Sequence, residues 1–161
     1  MRKSRYARTL HFLCIDPSET HLHVKEIEKH LIIPLYKMTA GDLMLFDRKQ
    51  SNRILLIDYK EVPQLIVVFP NLPVMWKNNE IILFNVPQQL PTSELLTFGV
   101  LKGLFYDSEQ KVKIAKGIQQ VINGDNWLPR KVTNQLLFYY RNMVNTNTTP
   151  TLSLIHISEP T

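Results

Sequence analysis

Short runs of consecutive aliphatic residues recur along this chain, and segments with helical periodicity separate them. Strands that helices cover on both faces have such continuous apolar runs, because neither face meets water. The runs predict strands at residues 9–15, 32–37, 53–59, 80–86 and 103–106. This pattern limits the fold more strongly than any other feature of the sequence.

The intervening segments predict helices. They lie at residues 19–31, at 42–46, in a segment ending near Phe69, at 92–98, and at 108–123. Ser18 is predicted to cap the first of these helices and Ser108 the last, which Gly124 ends. An additional C-terminal helix, the sixth, is predicted at 131–144. Strands and helices in alternation predict an α/β fold of the flavodoxin-like kind, a doubly wound five-stranded parallel sheet.

Polar or aromatic residues stand where four of the predicted strands end. Ligand chemistry in doubly wound sheets lies at the carboxyl ends of the strands, so these residues are expected to cluster. They are Asp16, Asp58, Asn85 and Tyr106. An Asp at the end of the third strand makes the layout resemble the receiver domain of bacterial response regulators.

The resemblance to receivers implies a pocket that no longer takes a phosphoryl group. Receivers that do so hold Mg²⁺ with adjacent acids after strand one and use a hydroxyl after strand four and a Lys after strand five. Here Ile15 precedes the remaining Asp16, and Asn85 and Tyr106 stand at the hydroxyl and lysine positions. The pocket is predicted to be degenerate, with Asp58 a structural relic rather than an acceptor, and no metal site is expected.

The net charge of +5 is concentrated at the N-terminus. Arg2, Lys3, Arg5 and Arg8 precede the first acid, Asp16, which leaves about +1 for everything after them. A basic arm at residues 1–8 could contact an acidic partner or a phosphate backbone. The rest of the chain lacks the basic stripe of a DNA-binding surface.

Other classes of protein are disfavoured by the composition. The lone Cys14 has no cysteine partner, and no glycine-rich phosphate loop, His-Glu-x-x-His motif or nucleophile elbow is present, so an enzyme is not expected. No apolar run has the length of a membrane span or a signal peptide. A cytoplasmic protein without membrane contact is therefore expected.

A tryptophan and an arginine lie three residues apart between the last two predicted helices. Indole and guanidinium planes both stack on purine faces, and the guanidinium also pairs with phosphate. Trp127 and Arg130 thus suit a flat, anionic ligand. The alternative is that Trp127 fills a gap between two helices while Arg130 lies in solvent.

Three segments together resemble a known family. They are Gly103-Leu104-Phe105-Tyr106, the helix at 108–123, and Trp127-Leu128-Pro129-Arg130. In this order they are similar to the LuxR-type biofilm-matrix transcriptional regulators of the VpsT and CsgD kind, over about residues 9–150. In that family a sixth helix extends a pseudo-receiver, and a LuxR-type helix-turn-helix domain follows.

The resemblance implies a ligand. VpsT-like members bind cyclic di-GMP through a Trp, an apolar residue, a Thr or Ser, and an Arg at the foot of the sixth helix. Trp127, Leu128 and Arg130 match, which implies that Trp127 and Arg130 stack on guanine bases and that Arg130 also meets phosphate. Pro129 replaces the hydroxyl residue and loses one charge-assisted hydrogen bond, about ten- to a hundredfold in affinity.

CsgD-like members lack the Trp and the Arg. The residues therefore leave two further functions open besides cyclic di-GMP sensing. One is a ligand-independent interaction and dimerisation domain, and the other is a phosphorylatable receiver with Asp58 as the acceptor.

The sixth helix has more apolar surface than one buried stripe requires. It is either clamped wholly onto its own domain or it forms the seam of a homodimer, which the resemblance favours. The residues expected at the seam are Leu136, Leu137, Tyr140 and Met143.

The end of the chain is expected to be foreign to the fold. Residues 145–151 form a polar linker, and residues 152–161 look like a translated sequencing-adapter segment. The DNA-binding domain is therefore expected to be missing from this chain, so that DNA contact would occur only through that helix-turn-helix domain.

Overall fold

The computed structural model describes residues 8–45 and 52–148, with side chains described up to residue 144. Residues 1–7 of the predicted basic arm lie outside the described residues. Arg8 is described, and its guanidinium pairs with Glu80. The predicted adapter segment 152–161 and residues 149–151 of the predicted linker also lie outside.

The described residues form alternating strands and helices. The strands are β1 (Thr9–Cys14), β2 (Leu35–Thr39), β3 (Arg53–Asp58), β4 (Glu80–Val86) and β5 (Val100–Tyr106). The helices are α1 (Leu22–Glu28), α2 (Ala40–Leu45), α3 (Val62–Val68), α4 (Leu72–Trp76), α5 (Thr92–Leu95), α6 (Lys111–Ile122) and α7 (Arg130–Thr148). A 3-10 turn, Tyr59–Glu61, joins β3 to α3.

The five strands pair in parallel in the order β2-β1-β3-β4-β5. This is the strand order of flavodoxin-like doubly wound sheets, and the predicted fold class is confirmed. The order reverses between β1 and β3. The carboxyl ends of these two strands therefore border the crevice in which such sheets bind ligands.

The core lies on the aliphatic strands. All six residues of β3 are buried, as are six of the seven in β4. One large cluster includes Leu10, Phe12, Ile54, Leu56, Ile82, Phe84, Phe105, Ile114, Ile118 and Val121. The continuous apolar runs thus reflect a sheet covered on both faces.

The start of α1 differs from the prediction. Asp16 accepts hydrogen bonds from the backbone N–H and the hydroxyl of Ser18, at 3.0 and 2.7 Å, so Ser18 belongs to a turn rather than to a helix cap. The helix begins only at Leu22, and His21 is its N-cap residue.

The start of α6 also differs. It begins at Lys111, after Gln110, rather than at a Ser108 cap. Val112 is 52% exposed, whereas Gly117 lies on the buried face of the helix. A Cβ at residue 117 would lie 2.5 Å from the ring of Phe105, so this position, where α6 packs against β5, accommodates only a glycine.

Two shorter elements were not predicted correctly. α4 lies in a segment where no element was predicted, and its Pro73 sits in the first turn, where a missing N–H costs no hydrogen bond. β2 begins at Leu35, three residues later than expected, and leaves Ile32 exposed. By contrast, Gly124 follows α6 with a φ of 105°, as the predicted left-handed cap requires.

The described residues fall into two compact units, one that ends at Leu128 and one that begins at Pro129. The first, called here the receiver-like unit, contains the sheet, and the second contains α7. This helix runs from Arg130 to Thr148, so residues 145–148, predicted as linker, are helical. Of the helices within residues 8–45 and 52–148, none has the length and apolar character needed to cross a membrane.

Candidate functional site

A network of polar side chains is buried at the carboxyl ends of β3 and β4. Asp58 ends β3, and its side chain is only 4% exposed. Its Oδ1 accepts hydrogen bonds from Nδ2 of Asn85, at 3.1 Å, and from the backbone N–H of Lys60, at 3.0 Å. The structure therefore brings together two of the four strand-end residues, Asp58 and Asn85.

His21 completes this network. Its Nε2 lies 3.0 Å from Oδ2 of Asp58 and 3.1 Å from a carboxylate oxygen of Glu61. The imidazole is held edge-on against the rings of Phe12 and Phe84, with centroids 4.9 and 6.3 Å away. We refer to His21, Asp58 and Glu61 as the His-Asp-Glu cluster.

The cluster keeps His21 charged at neutral pH. The hydrogen bond with Asp58, and after it the bond with Glu61, raise the pKa of His21 to about 9, although burial acts in the opposite direction. An imidazolium can no longer accept the N–H of Val24 at Nδ1. That contact is long, at 3.4 Å, and the interaction of the single Nε2–H with two carboxylates outweighs it.

The other two strand-end residues are not joined to Asp58. The carboxylate of Asp16 is exposed, and its bonds to Ser18 lower its pKa. Tyr106 pairs through its backbone with Val86, and within the described residues no hydrogen bond links its side chain to Asp58. The lysine position of a receiver thus contributes nothing to the cluster.

His21 was not predicted as a site residue because its role depends on a contact between distant residues. It lies 37 positions before Asp58 and outside the strand ends. What the sequence does offer is a histidine between the first strand and an amphipathic helix. In a doubly wound sheet that loop leaves from the carboxyl edge, beside the third strand.

A pocket of about 380 Å³ opens beside the cluster. Its lining includes His21 and Glu61, together with Asp16 and Glu19. The ammonium group of Lys37 also lines it and donates to the carbonyls of residues 17 and 19, at 3.3 and 3.1 Å. Carboxylates outnumber cations in this lining, so the pocket is acidic.

Trp127 is anchored to the receiver-like unit. Its backbone N–H donates to the carbonyl of Lys102, at 2.8 Å, and its backbone carbonyl accepts the N–H of Leu104, at 3.0 Å. The indole stacks on the ring of Phe105, with centroids 6.4 Å apart and planes 25° apart, and a Cβ at Gly117 would come within 2.9 Å of it. Trp127 therefore packs against β5 and α6 and remains half-buried.

Leu128, Pro129 and Arg130 follow directly. Leu128 is half-buried, and the carbonyl of Pro129 accepts the N–H of Thr133 as the first hydrogen bond of α7. Arg130 is the first residue of α7 and is exposed. Among the described residues no carboxylate forms an ion pair with it.

α7 exposes apolar residues along much of its length. The rings of Tyr139 and Tyr140 meet edge to face, with centroids 5.3 Å apart, and Leu136 is half-buried. The exposed apolar side chains are Leu137, Phe138, Tyr140, Met143 and Val144. Three of the four residues expected at a dimer seam, Leu137, Tyr140 and Met143, are thus exposed.

Comparison with known proteins finds regulators among the relatives. The chain is 26% identical over 112 residues to the CsgBAC operon transcriptional regulatory protein of Escherichia coli (strain K12), which covers 68% of this chain and 51% of that protein. It is also 26% identical over 105 residues to the probable csgAB operon transcriptional regulatory protein of Salmonella typhimurium. That alignment covers 64% of this chain and 48% of that protein. No protein-family model matches.

A solved structure is similar in fold. The crystal structure of the regulatory domain of the master biofilm regulator CsgD aligns with a TM-score of 0.61 and 20% identity, covering 81% of this chain and 99% of that one. These findings confirm the resemblance to CsgD-like regulators and the receiver-like fold. The chain spans about half the length of the curated relatives it matches.

Proposed function

We propose that this chain is the regulatory part of a transcriptional regulator of biofilm matrix genes and that it responds to cyclic di-GMP rather than to phosphorylation of Asp58. The relatives' names and the CsgD-like fold support the regulatory role. DNA contact in this proposal belongs to a LuxR-type helix-turn-helix domain. The receiver-like unit supplies the signal.

The hydrogen bonds of Asp58 are the single observation that most favours control without phosphorylation. Oδ1 accepts two hydrogen bonds and Oδ2 faces the imidazole of His21. A carboxylate must present a free oxygen to attack a phosphoryl donor. Acetyl phosphate with Mg²⁺ is therefore expected to leave the intact mass unchanged, and a stable adduct at Asp58 would contradict this part of the proposal.

The proposed ligand site uses Trp127, Leu128 and Arg130. Two hydrogen bonds to β5 fix the backbone of Trp127, which lowers the entropy lost when its ring stacks on a base. Arg130 is exposed at the start of α7 and no described carboxylate neutralises it, so its guanidinium is available to a phosphate. Both residue types suit a purine dinucleotide.

The proposed output is a homodimer formed through α7. The exposed Leu137, Phe138 and Tyr140 support an apolar contact between two copies of the chain. A ligand held beside the first turn of α7 would then stabilise the dimer. Sedimentation of the chain with and without cyclic di-GMP tests this, and a monomer under both conditions would contradict it.

Calorimetric titration of cyclic di-GMP into the chain tests the ligand site. Arg130→Ala is expected to abolish binding, whereas Arg141→Ala, an exposed arginine on the same helix, should leave it unchanged. Pro129→Thr restores the missing hydroxyl and should tighten binding by roughly tenfold or more. Equal binding by the Arg130→Ala and Arg141→Ala variants would refute the assigned site.

A second function, an interaction domain that binds no nucleotide, is favoured by the packing of Trp127. Its indole already stacks on Phe105 and closes over Gly117, which is sufficient reason for a tryptophan at this position. Absence of heat at high cyclic di-GMP concentration, with a dimer still present, would establish this function instead.

A further inference from the structure

The His-Asp-Glu cluster has the spacing of a metal site. Nε2 of His21 lies 3.0 and 3.1 Å from the nearest oxygens of Asp58 and Glu61, and all three atoms lie within 4.8 Å of one another. Adjacent donors around an ion with bonds of about 2.1 Å lie about 3.0 Å apart in octahedral geometry and about 3.4 Å apart in tetrahedral geometry. An ion therefore fits with small shifts of side chains.

Neighbouring groups already orient two of the three donors. The N–H of Lys60 and the amide of Asn85 hold one oxygen of Asp58 and leave the other turned toward His21. The rings of Phe12 and Phe84 hold the imidazole. Supporting contacts of this kind raise metal affinity because the ligands lose little freedom on binding.

The cluster is also accessible to an ion. His21 and Glu61 line the pocket of about 380 Å³, and the carboxylates of Asp16 and Glu19 line it as well. A concave surface with excess negative charge concentrates cations. With His21 protonated, the two carboxylates of the cluster and the imidazolium together carry a net negative charge. With His21 neutral, a bound divalent ion would neutralise the charge of both carboxylates.

We propose that His21, Asp58 and Glu61 bind a divalent first-row transition-metal ion such as Zn²⁺ or Co²⁺. An imidazole ligand favours these ions over Mg²⁺, which requires oxygen donors and retains its water. The ion replaces the proton on Nε2, so that the buried carboxylate of Asp58 keeps a cationic partner. Three protein ligands leave coordination positions open toward the pocket.

The test is a calorimetric titration of the full chain with Zn²⁺, supported by the visible absorption of Co²⁺. One ion per chain is expected. Glu61→Gln and His21→Gln should each weaken binding by roughly tenfold or more, since even the loss of a supporting contact costs about that much. The exposed residues Glu28 and His30 supply matched controls, Glu28→Gln and His30→Gln, which should bind as the parent chain does.

Glu61→Gln is the more informative variant because it retains the bond between His21 and Asp58. Its far-UV circular dichroism should match that of the parent chain, so weaker binding reports the loss of a ligand. Unchanged binding in both cluster variants, or no binding by the parent chain at millimolar Zn²⁺, would overturn the proposal. Displacement of Zn²⁺ by millimolar Mg²⁺ would also overturn it, because an oxygen-only site would then be responsible.

Discussion

The pocket at Asp58 and the segment from Trp127 to Arg130 use charge in opposite ways. At Asp58, each charged group already has a partner within the receiver-like unit, and the carboxylate is almost completely buried. At Arg130, the charge is exposed and unpaired among the described residues. A buried charge without a partner costs several kcal/mol, whereas an exposed one costs almost nothing. The first arrangement stabilises the fold, and the second leaves binding energy available for a ligand.

Removing the buried carboxylate should have the largest effect on stability. Asp58→Ala leaves the His21 imidazolium with one partner that is one-third exposed and leaves the amide of Asn85 without its acceptor. We expect a loss of about 3 kcal/mol in the free energy of unfolding, measured by urea denaturation. Asp125→Ala, which removes an exposed acid, is the control. A loss below about 1 kcal/mol would mean that water already solvates the pair.

The charge of His21 should make stability depend on pH. Its folded pKa of about 9 exceeds the ordinary 6.5 of the unfolded chain, so its contribution is complete below pH 6.5 and is lost as the pH rises through 9. The pKa shift limits this contribution to the free energy of unfolding to about 3 kcal/mol. Because solvent reaches Glu61 and screens its charge, we expect a loss of roughly 2 kcal/mol. Urea denaturation at pH 6.5 and 9, with a chelator present, measures it.

His21→Gln supplies the comparison for this pH effect. The variant should be less stable than the parent chain at pH 6.5 and nearly equal to it above pH 9, because the parent histidine is then neutral. His30→Gln, which alters an exposed histidine just after the end of α1, should keep the parent pH dependence. A parallel pH dependence in the parent chain and His21→Gln would rule out His21 as its source.

The sequence predicted the sheet well and the cluster only in part. Continuous aliphatic runs with alternating helices predicted the five strands, and the flavodoxin-like fold class implies the strand order that is observed. Asp58 and Asn85 were expected at one edge and lie there. His21 was missed because its partner, Asp58, lies 37 residues further along the chain. Ser18 was wrongly predicted as a helix cap because its hydroxyl donates to Asp16 instead of capping α1.

The same limit applies to the other region. The sequence placed Trp127 between two predicted helices, but it did not indicate that the backbone of Trp127 bonds to β5. Pairing of a loop residue with a strand some 25 positions earlier leaves no periodic signal. The order of the motif could be recognised from the sequence, whereas the packing of its tryptophan could not.

Trp127 should matter for stability, though less than Asp58 does. Trp127→Ala removes the stack on Phe105 and leaves a gap over Gly117. Because the indole is half-buried, we expect a loss of about 1.5 kcal/mol, less than for a fully buried tryptophan. Trp127→Phe should recover most of it, as judged by thermal unfolding. Equal stability of the alanine variant and the parent chain would mean that the ring contributes little to packing and is retained for a ligand.

Arg130 should have the smallest effect on stability and, in our proposal, the largest on ligand binding. Arg130→Ala removes an exposed side chain, so the free energy of unfolding should change by less than about 0.5 kcal/mol, as for Arg141→Ala. Urea denaturation without ligand should not distinguish the two variants. Addition of cyclic di-GMP should raise the stability of Arg141→Ala but not that of Arg130→Ala, since only a binding-competent folded state gains from the ligand. If both variants gain equally, the ligand binds elsewhere, and the exposed charge at the start of α7 has no part in sensing.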